Sequence, residues 1–312
     1  MYLGIDIGGT YIKSAILLGN DLTEHRSIAT NAYEGVNSLL YRIRILISYY
    51  FEHYPEIKSV GIGIPGVVDN YGNVLVAPNL PGWQNVPLFK YLRNYIDVPF
   101  TIENDANVAA MAELLDGAGK GLSSFIYVTL GTGVGGSIII DGQIYRGEIG
   151  GSGEIGHTLI DYNSRKKTAF TYQKGTLEAF IGRNAILELA KEQLQKNIVS
   201  KLSEIINFDV ADIYKLAASG NKLCIKLLEQ FGAVLGCGLA SAMNLLDIST
   251  AIIGGGISQA GELILATTRK TLKDHLLPPL ANRFQVKQAK YISSTGVRGA
   301  ALLGKSLLDI EN

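Results

Sequence analysis

The sequence has little of what several classes of protein require. Its 312 residues include only two cysteines, Cys224 and Cys237, so we expect buried free thiols without a redox role. The 28 basic side chains equal the 28 acidic ones, which leaves no net charge to attract nucleic acid or anionic lipid. No run of 18 apolar residues is free of polar interruption, and no basic signal-peptide segment opens the sequence. We therefore expect a cytoplasmic protein with small-molecule ligands and with no nucleic-acid or membrane partner.

The chain instead has enough apolar material for two hydrophobic cores. It is 47% hydrophobic and 18% charged, a composition typical of folded rather than disordered proteins. A chain of this length is expected to form two domains. We expect a small α/β domain over residues 1–115, with 296–312 packing back onto it, and a large α/β domain over 116–295.

Residues 3–18 predict a β-hairpin whose tip is unusual. The segment LGIDIGGTYIKSAILL places Asp6 just before Gly8, Gly9 and Thr10, so bare backbone N–H groups lie beside a carboxylate. This combination suits the terminal phosphates of a nucleotide and their Mg²⁺. A plain hairpin with a glycine turn is the structural alternative.

The same pattern starts again at Ser124. FIYVTLGTGVGGSIIIDGQIYRG predicts strand, Gly-rich turn, strand, Asp141-Gly142 turn and strand, which indicates an internal repeat. The turn also contains the dinucleotide fingerprint GxGxxG, but a strand follows it instead of the required helix. Further on, AIIGGG (251–256) ends a predicted strand in bare backbone that suits a base or ribose, and it corresponds to VGIGIPG in the first half.

A carboxylate follows another predicted strand in TIENDANVAAMAE. This segment predicts a short strand and then a helix, with Asn104 and Asp105 at the junction. Ligands of open α/β sheets bind at the carboxyl ends of strands, so Asp105 is a candidate general base. The structural alternative is that Asn104 or Asp105 is only the N-cap of the helix.

Three further segments offer polar groups for a polyhydroxylated ligand. Asn79 lies in a proline-stiffened loop, Glu154 and His157 lie in the Gly-rich segment RGEIGGSGEIGH, and Glu178 follows Thr176, the predicted N-cap of a helix from Leu177 to Gln195. Each has a structural alternative: a turn asparagine, a structural histidine and an acid that complements a helix dipole. A long predicted helix, Leu223 to Leu246, contains three glycines that favour close helix packing, and we expect a homodimer.

Taken together, LGIDIGGT, PNLPGW, IENDAN, TLGTGVGG, GEIGH and IIGGGIS, in this order over nearly the whole chain, resemble the ROK family of sugar kinases and repressors. The glucokinase-like members are the most similar. The resemblance implies the α/β class, with duplicated actin-like ATPase (ribonuclease H-like) domains flanking a cleft where sugar and ATP meet. It implies an ATP-dependent hexose kinase, with glucose phosphorylated at its 6-hydroxyl. An N-acetylhexosamine or fructose kinase and a non-catalytic sugar sensor are the alternatives.

By motif position, the resemblance also implies roles for single residues. Asp105 would be the general base, and Asp6 would face Mg²⁺ through water. The sugar would be bound by Asn79, Asn104, Glu154, His157 and Glu178. The phosphates of ATP would be held by Gly8, Gly9, Thr10, Lys13, Gly131, Thr132 and Gly133, and the adenosine would be bordered by Gly254, Gly255 and Gly256.

The sequence departs from the family in one motif. Many members bind zinc through the motif's histidine and three cysteines in CxCGxxGCxE, but this chain has AFTYQKGTLE, with Ala169, Thr171 and Thr176 at the cysteine positions. Zinc would lack its thiolates, so we expect no zinc and another group that orients His157. Repressor members begin with a DNA-binding helix-turn-helix, whereas this sequence starts with the first strand, so we expect no such domain.

Overall fold

The computed structural model describes residues 1–168, 173–196, 199–292 and 295–309. By their contacts these residues divide into two compact units. Unit 1 contains residues 1–122, 142–152 and 295–309, and unit 2 contains residues 123–141 and the described part of 153–292.

The described residues form strands and α-helices in both units. The strands are β1 (Tyr2–Ile7), β2 (Tyr11–Leu18), β3 (Asp21–Ala29), β4 (Ser59–Ile64), β5 (Val67–Val68), β6 (Val74–Val76), β7 (Gln84–Val86), β8 (Phe100–Asn104), β9 (Phe125–Leu130), β10 (Val134–Ile140), β11 (Gln143–Ile144), β12 (Thr250–Gly254) and β13 (Gln285–Gln288). The α-helices are α1 (Val36–His53), α2 (Leu88–Leu92), α3 (Asp105–Asp116), α4 (Leu177–Ile181), α5 (Arg183–Gln195), α6 (Val210–Ala218), α7 (Lys222–Leu246), α8 (Glu262–His275), α9 (Pro278–Ala281) and α10 (Thr295–Asp309).

Unit 1 is built on a mixed sheet with strand order β3-β2-β1-β4-β8. Strands β1 and β2 form the predicted hairpin, and β3 is antiparallel to β2. Strand β4 runs parallel to β1, and β8 runs parallel to β4. The apolar positions of α1 recur at helical spacing and are buried against this sheet's core, which accounts for the helix: Leu39, Leu40, Ile43, Leu46, Ile47 and Tyr50.

Helix α10 packs on this sheet with its backbone in direct contact with two strands. A Cβ at Gly4 of β1 would overlap the Val297 carbonyl, and a Cβ at Gly61 of β4 would overlap the Ala300 carbonyl. Glycine is required at both positions because any side chain would push the helix off the sheet. The Gly- and Ala-rich composition of this C-terminal segment therefore reflects close packing.

The strands that lie in unit 2 have the order β10-β9-β12-β13. Strand β10 is antiparallel to β9, and β12 is parallel to both β9 and β13. This order repeats β2-β1-β4-β8 of unit 1, so the structure confirms the predicted duplication. Helices α4 to α8 surround a separate hydrophobic core on this unit.

Helix α7 is the central helix of the unit 2 core. Among the described residues it alone is long and apolar enough to cross a membrane, but 61% of its most apolar window is buried inside the protein. Two of its three glycines contact α8, where Gly232 meets the Ile264 carbonyl and Gly236 meets Thr271, and Gly238 contacts Leu177. The predicted close helix packing is therefore present within this unit, and the homodimer stays a prediction.

Two predicted helices have wrong boundaries. The helix expected from Leu177 to Gln195 breaks at Gly182, whose extended backbone (φ −64°, ψ 158°) separates α4 from α5. Thr176 is the N-cap of α4 but makes no side-chain cap hydrogen bond. The sequence after AIIGGG predicts a helix from Ala260 to Leu272, but α8 begins at Glu262, because residues Gly256–Ala260 form a 3₁₀ turn.

Candidate active site

The tip of the β1–β2 hairpin is anchored by two hydrogen bonds at its base. The Gly8 N–H donates to the Tyr11 carbonyl at 2.9 Å, and the Thr30 hydroxyl donates to the Gly8 carbonyl at 2.6 Å. Gly9 and Thr10 at the tip are exposed. The hairpin therefore presents its predicted phosphate-binding backbone to solvent on an anchored base.

Asp6 and Lys13 face each other below this tip. They are direct partners in the register of β1 and β2. Burial raises the pKa of Asp6 to about 6, and the Lys13 ammonium opposes that rise. The first turn of α10 packs on this carboxylate, since a Cβ at Gly296 would overlap Asp6 Oδ2. A partly desolvated carboxylate of this kind fits a cation, because a positive charge beside it would favour the ionised form.

The junction of β8 and α3 places Asp105 at the surface. Asn104 is the N-cap of α3, and its Oδ1 accepts from the N–H groups of Ala106 at 2.8 Å and Asn107 at 3.2 Å. The Asn104 Nδ2 donates to the Gly66 carbonyl at 2.8 Å. Asp105 is the first residue of α3 and is exposed, with Oδ1 also 2.9 Å from the Ala106 nitrogen. The N-cap left open by the sequence is thus Asn104, and the helix N-terminus favours negative charge on Asp105.

A buried acid that the sequence analysis missed supports this junction. Glu103 is 2% exposed, and its Oε1 accepts from the Asn104 N–H and from Asn107 Nδ2, both at 2.9 Å. Its Oε2 accepts from Arg146 Nε at 2.8 Å. Its neighbour Ile102 is buried as well, so burial along β8 does not alternate at Glu103, and alternation along the strand could not have identified it. Three donors on one carboxylate fix the chain just before Asp105.

The loop after β6 holds Asn79 beside the first hairpin tip. The Leu80 N–H donates to the Ala77 carbonyl at 2.9 Å and the Trp83 N–H donates to Leu80 at 3.1 Å, so the loop is a pair of consecutive turns. Trp83 is buried and Asn79 is exposed. A Cβ at Gly9 would lie 3.6 Å from the Asn79 carbonyl oxygen. Unit 1 therefore brings together Gly9, predicted to bind phosphate, and Asn79, predicted to bind the sugar.

In unit 2, helices α4 and α5 hold the second hairpin tip in place. Glu178 Oε2 accepts from the Val134 N–H at 2.9 Å, and the Arg183 N–H donates to the Thr132 carbonyl at 3.2 Å. A Cβ at Gly133 would overlap the Glu178 carboxylate. Glu178 therefore does more than complement a helix dipole, because it anchors the predicted phosphate-binding tip formed by Gly131, Thr132 and Gly133.

The candidate sugar-binding groups of unit 2 lie together. His157 ends a 3₁₀ turn, Ile155–His157, and its Nδ1 is 2.6 Å from Gln173 Oε1. His157 Nε2 is 3.8 Å from Glu154 Oε2. Burial raises the pKa of Glu154, His157 lowers it and the Glu178 carboxylate raises it further. Two acids and a histidine thus converge, a set of groups that can exchange hydrogen bonds with hydroxyls.

The predicted adenosine-bordering glycines form a turn at the end of β12, and its last glycine is exposed. Gly254 closes the strand, Gly255 has φ 82°, and Gly256 is exposed, with no described atom within 4 Å of an added Cβ. The Ser258 hydroxyl donates to the Gly255 carbonyl at 2.7 Å, and Gln288 Nε2 donates to the Ser258 carbonyl at 2.7 Å. The turn is therefore fixed from behind and open in front.

Comparison with known proteins gives the family. The sequence profile of the ROK family matches residues 2–306. The chain belongs to the ROK family. The glucokinase of Halalkalibacterium halodurans is 30% identical, over 97% of this chain and 94% of that protein. The xylose repressor of Bacillus spizizenii is 29% identical, over 99% of this chain and 77% of that protein. The crystal structure of a ROK family glucokinase from Streptomyces griseus in complex with glucose and AMPPNP is 30% identical and superposes with a TM-score of 0.82, over 98% of this chain and 99% of that chain.

Membership in the ROK family accounts for the architecture. The duplicated sheet order and the ROK structural neighbours confirm the predicted α/β fold of duplicated actin-like ATPase domains. The predicted site residues are distributed over both units. Unit 1 holds Asp6, Gly8, Gly9, Thr10, Lys13, Asn79, Asn104 and Asp105, and unit 2 holds Gly131, Thr132, Gly133, Glu154, His157, Glu178, Gly254, Gly255 and Gly256.

The donor set expected for zinc in ROK proteins does not fit here. Ala169 and Thr171 lie outside the described residues, and neither residue type offers a thiolate. At the third cysteine position, the Thr176 hydroxyl is buried and makes no hydrogen bond in the described part of the chain. Within that same part, no group of three or more His, Cys, Asp or Glu residues could hold a metal ion. His157 is oriented here by Gln173, a residue that the sequence analysis did not identify.

Proposed function

We propose that this protein is an ATP-dependent hexose kinase that transfers the γ-phosphoryl group of ATP to the 6-hydroxyl of glucose. The observation that carries the proposal is the exposed Asp105 carboxylate, directly after the parallel strand β8, in a ROK chain 30% identical to a glucokinase. Carboxyl ends of parallel strands are where α/β folds bind their ligands.

In the proposed reaction Asp105 is the general base. A carboxylate oxygen of Asp105 takes the proton of the 6-hydroxyl while the hydroxyl oxygen attacks the γ-phosphorus. The bond from that phosphorus to the bridging oxygen of ADP breaks. The transition state of phosphoryl transfer is loose and needs little help from a base, so positioning and charge neutralisation supply most of the acceleration. The network around Glu103 serves this positioning because it fixes the residues on both sides of Asp105.

Both hairpin tips suit phosphate groups. Backbone N–H groups in glycine turns can approach phosphate oxygens closely, and both tips are anchored by bonds to neighbouring elements. When bound, Mg²⁺ would neutralise negative charge on the phosphates, and Asp6 is the carboxylate that fits this ion, through water. Lys13 adds a positive charge beside Asp6.

Each unit carries side chains that suit the hydroxyls of a sugar. In unit 1, Asn104 retains one Nδ2 hydrogen after its bond to the Gly66 carbonyl. Exposed Asn79 offers both donors and an acceptor. In unit 2, Glu154 and Glu178 offer acceptors, and His157 offers Nε2. Adenosine would lie against the turn formed by Gly254, Gly255 and Gly256, where Gly256 is exposed.

Two alternatives are supported less well. An N-acetylhexosamine or fructose kinase would use the same base with a different pocket shape. A sugar sensor without catalysis is favoured by the relationship to a xylose repressor, which is 29% identical.

An ADP-release assay with glucose, fructose, mannose, N-acetylglucosamine and N-acetylmannosamine tests these possibilities together. We expect the highest kcat/KM with glucose. Asp105→Ala should lower turnover by about 10²-fold or more, while glucose binding, measured by calorimetry, largely persists. Asp97→Ala, at another exposed acid of unit 1, is the control and should keep full activity. Binding without turnover of any sugar would favour the sensor, and full activity of Asp105→Ala would show that the assigned base is wrong.

A further inference from the structure

His157 is held by a side chain at the point where the family resemblance implies a metal. The three positions that would supply thiolates are Ala169, Thr171 and Thr176. Gln173 lies between the last two of these positions, and its Oε1 is 2.6 Å from His157 Nδ1. An amide oxygen can only accept a hydrogen bond, so this contact requires a proton on Nδ1.

The proton on Nδ1 determines what the other ring nitrogen can do. In the neutral ring with Nδ1 protonated, Nε2 has a lone pair and accepts a hydrogen bond. The nearest carboxylate oxygen, Glu154 Oε2, is 3.8 Å from Nε2, too far for a direct hydrogen bond. Nε2 is therefore available to a ligand hydroxyl, and the Glu154 carboxylate beside it is a second acceptor.

The segment that carries Gln173 is fixed to the rest of unit 2. The Gln173 N–H donates to the Thr168 hydroxyl at 3.2 Å, and the Thr168 N–H donates to the Gln173 carbonyl at 2.9 Å. The Gly175 carbonyl accepts from the N–H groups of Ile160 at 2.8 Å and Asp161 at 3.0 Å. The backbone that carries Gln173 is thus fixed by hydrogen bonds among protein groups.

We propose that Gln173 is a positioning residue that replaces metal ligation in this chain: it holds His157 as the Nδ1–H tautomer, so that Nε2 accepts a hydroxyl of the sugar. The inference rests on the proposed function for the identity of that hydroxyl. The tautomer itself follows from residues of unit 2 and can be measured without turnover.

Steady-state kinetics with glucose test the effect on sugar binding. Gln173→Ala removes one orienting hydrogen bond, so we expect KM for glucose to rise about five- to tenfold with kcat changed less than about threefold. Gln173→Glu keeps an acceptor at the same reach and should restore KM to within about threefold of the wild type. Lys174→Ala, at the neighbouring exposed residue, should change neither constant. Thermal unfolding of each variant checks that the fold is retained, since Gln173 is exposed.

Nitrogen NMR of histidine-labelled protein tests the tautomer directly. The chain has four histidines, and the spectrum of His157→Gln assigns the signals of His157. We expect a protonated Nδ1 and an unprotonated Nε2 at pH 8 in the wild type, with a mixture of tautomers in Gln173→Ala. A protonated Nε2 in the wild type, an unchanged tautomer in Gln173→Ala, or stoichiometric zinc bound through His157 would overturn the inference. If the wild type turns over no sugar, the proposed function fails, while the tautomer measurement still decides the role of Gln173.

Discussion

Replacing Asp6 by asparagine should stabilise the protein at neutral pH while weakening any Mg²⁺-dependent nucleotide binding. Asp6 is enclosed by β1, by its partner Lys13 and by the first turn of α10. Burial raises its pKa from 3.8 to about 6. The folded protein therefore binds the Asp6 proton more tightly than the unfolded chain does. The contribution of Asp6 to the free energy of unfolding must therefore fall as pH rises from about 4 to about 6. Above that range the whole loss of stability persists.

The magnitude follows from the size of the shift. A rise of about two pKa units corresponds to about 3 kcal/mol against the ionised, folded state. Asp6 is not fully buried, so water reduces this figure, and we expect about half of it. In a unit of about 150 residues, 1 kcal/mol moves the thermal midpoint by roughly 2 to 4 °C. Asp6→Asn should therefore raise the midpoint of unit 1 by roughly 3 to 6 °C at pH 7.5 and by almost nothing at pH 4.

Calorimetric unfolding between pH 4 and 8, without nucleotide, measures this difference. Asp97→Asn, at an exposed acid of the same unit, is the control and should show almost no change at either pH. Addition of Mg²⁺ and ATP should raise the midpoint of the wild type but not that of Asp6→Asn. A midpoint for Asp6→Asn that is lower than that of the wild type at every pH would refute the electrostatic reasoning.

Two further predictions concern packing and thiol reactivity. Gly61→Ala would overlap the Ala300 carbonyl and should lower the unfolding free energy by about 3 kcal/mol. Denaturant unfolding measures this loss. Gly256→Ala is the near-neutral control, because an added Cβ there meets open space. Equal stability of the two variants would contradict the packing of α10. Burial raises the pKa of Cys224 to about 11, whereas Cys237 is partly exposed. A disulfide reagent at pH 8 should therefore titrate one thiol in the folded protein and two in denaturant. Rapid reaction of both thiols in the folded protein would contradict the burial of Cys224.

The elements with a strong local signal were predictable from the sequence. Alternation and glycine turns located both hairpins, because a strand's side-chain period and a tight turn's backbone needs are local properties. The repeat of one pattern at Ser124 predicted the duplicated sheet. The prediction of one helix from Leu177 to Gln195 was wrong, because a break in the backbone need not interrupt the apolar pattern. Periodicity continues across Gly182, but its backbone is extended and its N–H donates to the Glu178 carbonyl.

The supporting residues of the site were not predictable in the same way. Glu103 is conspicuous only once Arg146, 43 positions later, is seen to donate to it. Gln173 likewise acquires a role only through His157, 16 positions earlier. Such pairs are brought together by the fold and leave no periodic pattern in the sequence. The buried hydroxyl of Thr176, which makes no hydrogen bond in the described part of the chain, is also invisible before the structure is known.

The duplication shows how the two copies of one sheet differ in chemistry. Asp6 pairs with Gly63 of β4, and by the same register Thr129 of β9 pairs with Gly254 of β12. The position of the Asp6 carboxylate in unit 1 is thus a threonine hydroxyl in unit 2. Asp105 directly follows β8, and the pairing of β8 with β4 and of β13 with β12 makes Tyr291 its counterpart in unit 2. The carboxylates of Asp6 and Asp105 therefore have no equivalent in unit 2. The sheet of unit 2 keeps only the glycine-rich backbone. The sheet of unit 1 therefore carries the base and the cation ligand of the proposed reaction, and its copy in unit 2 carries neither.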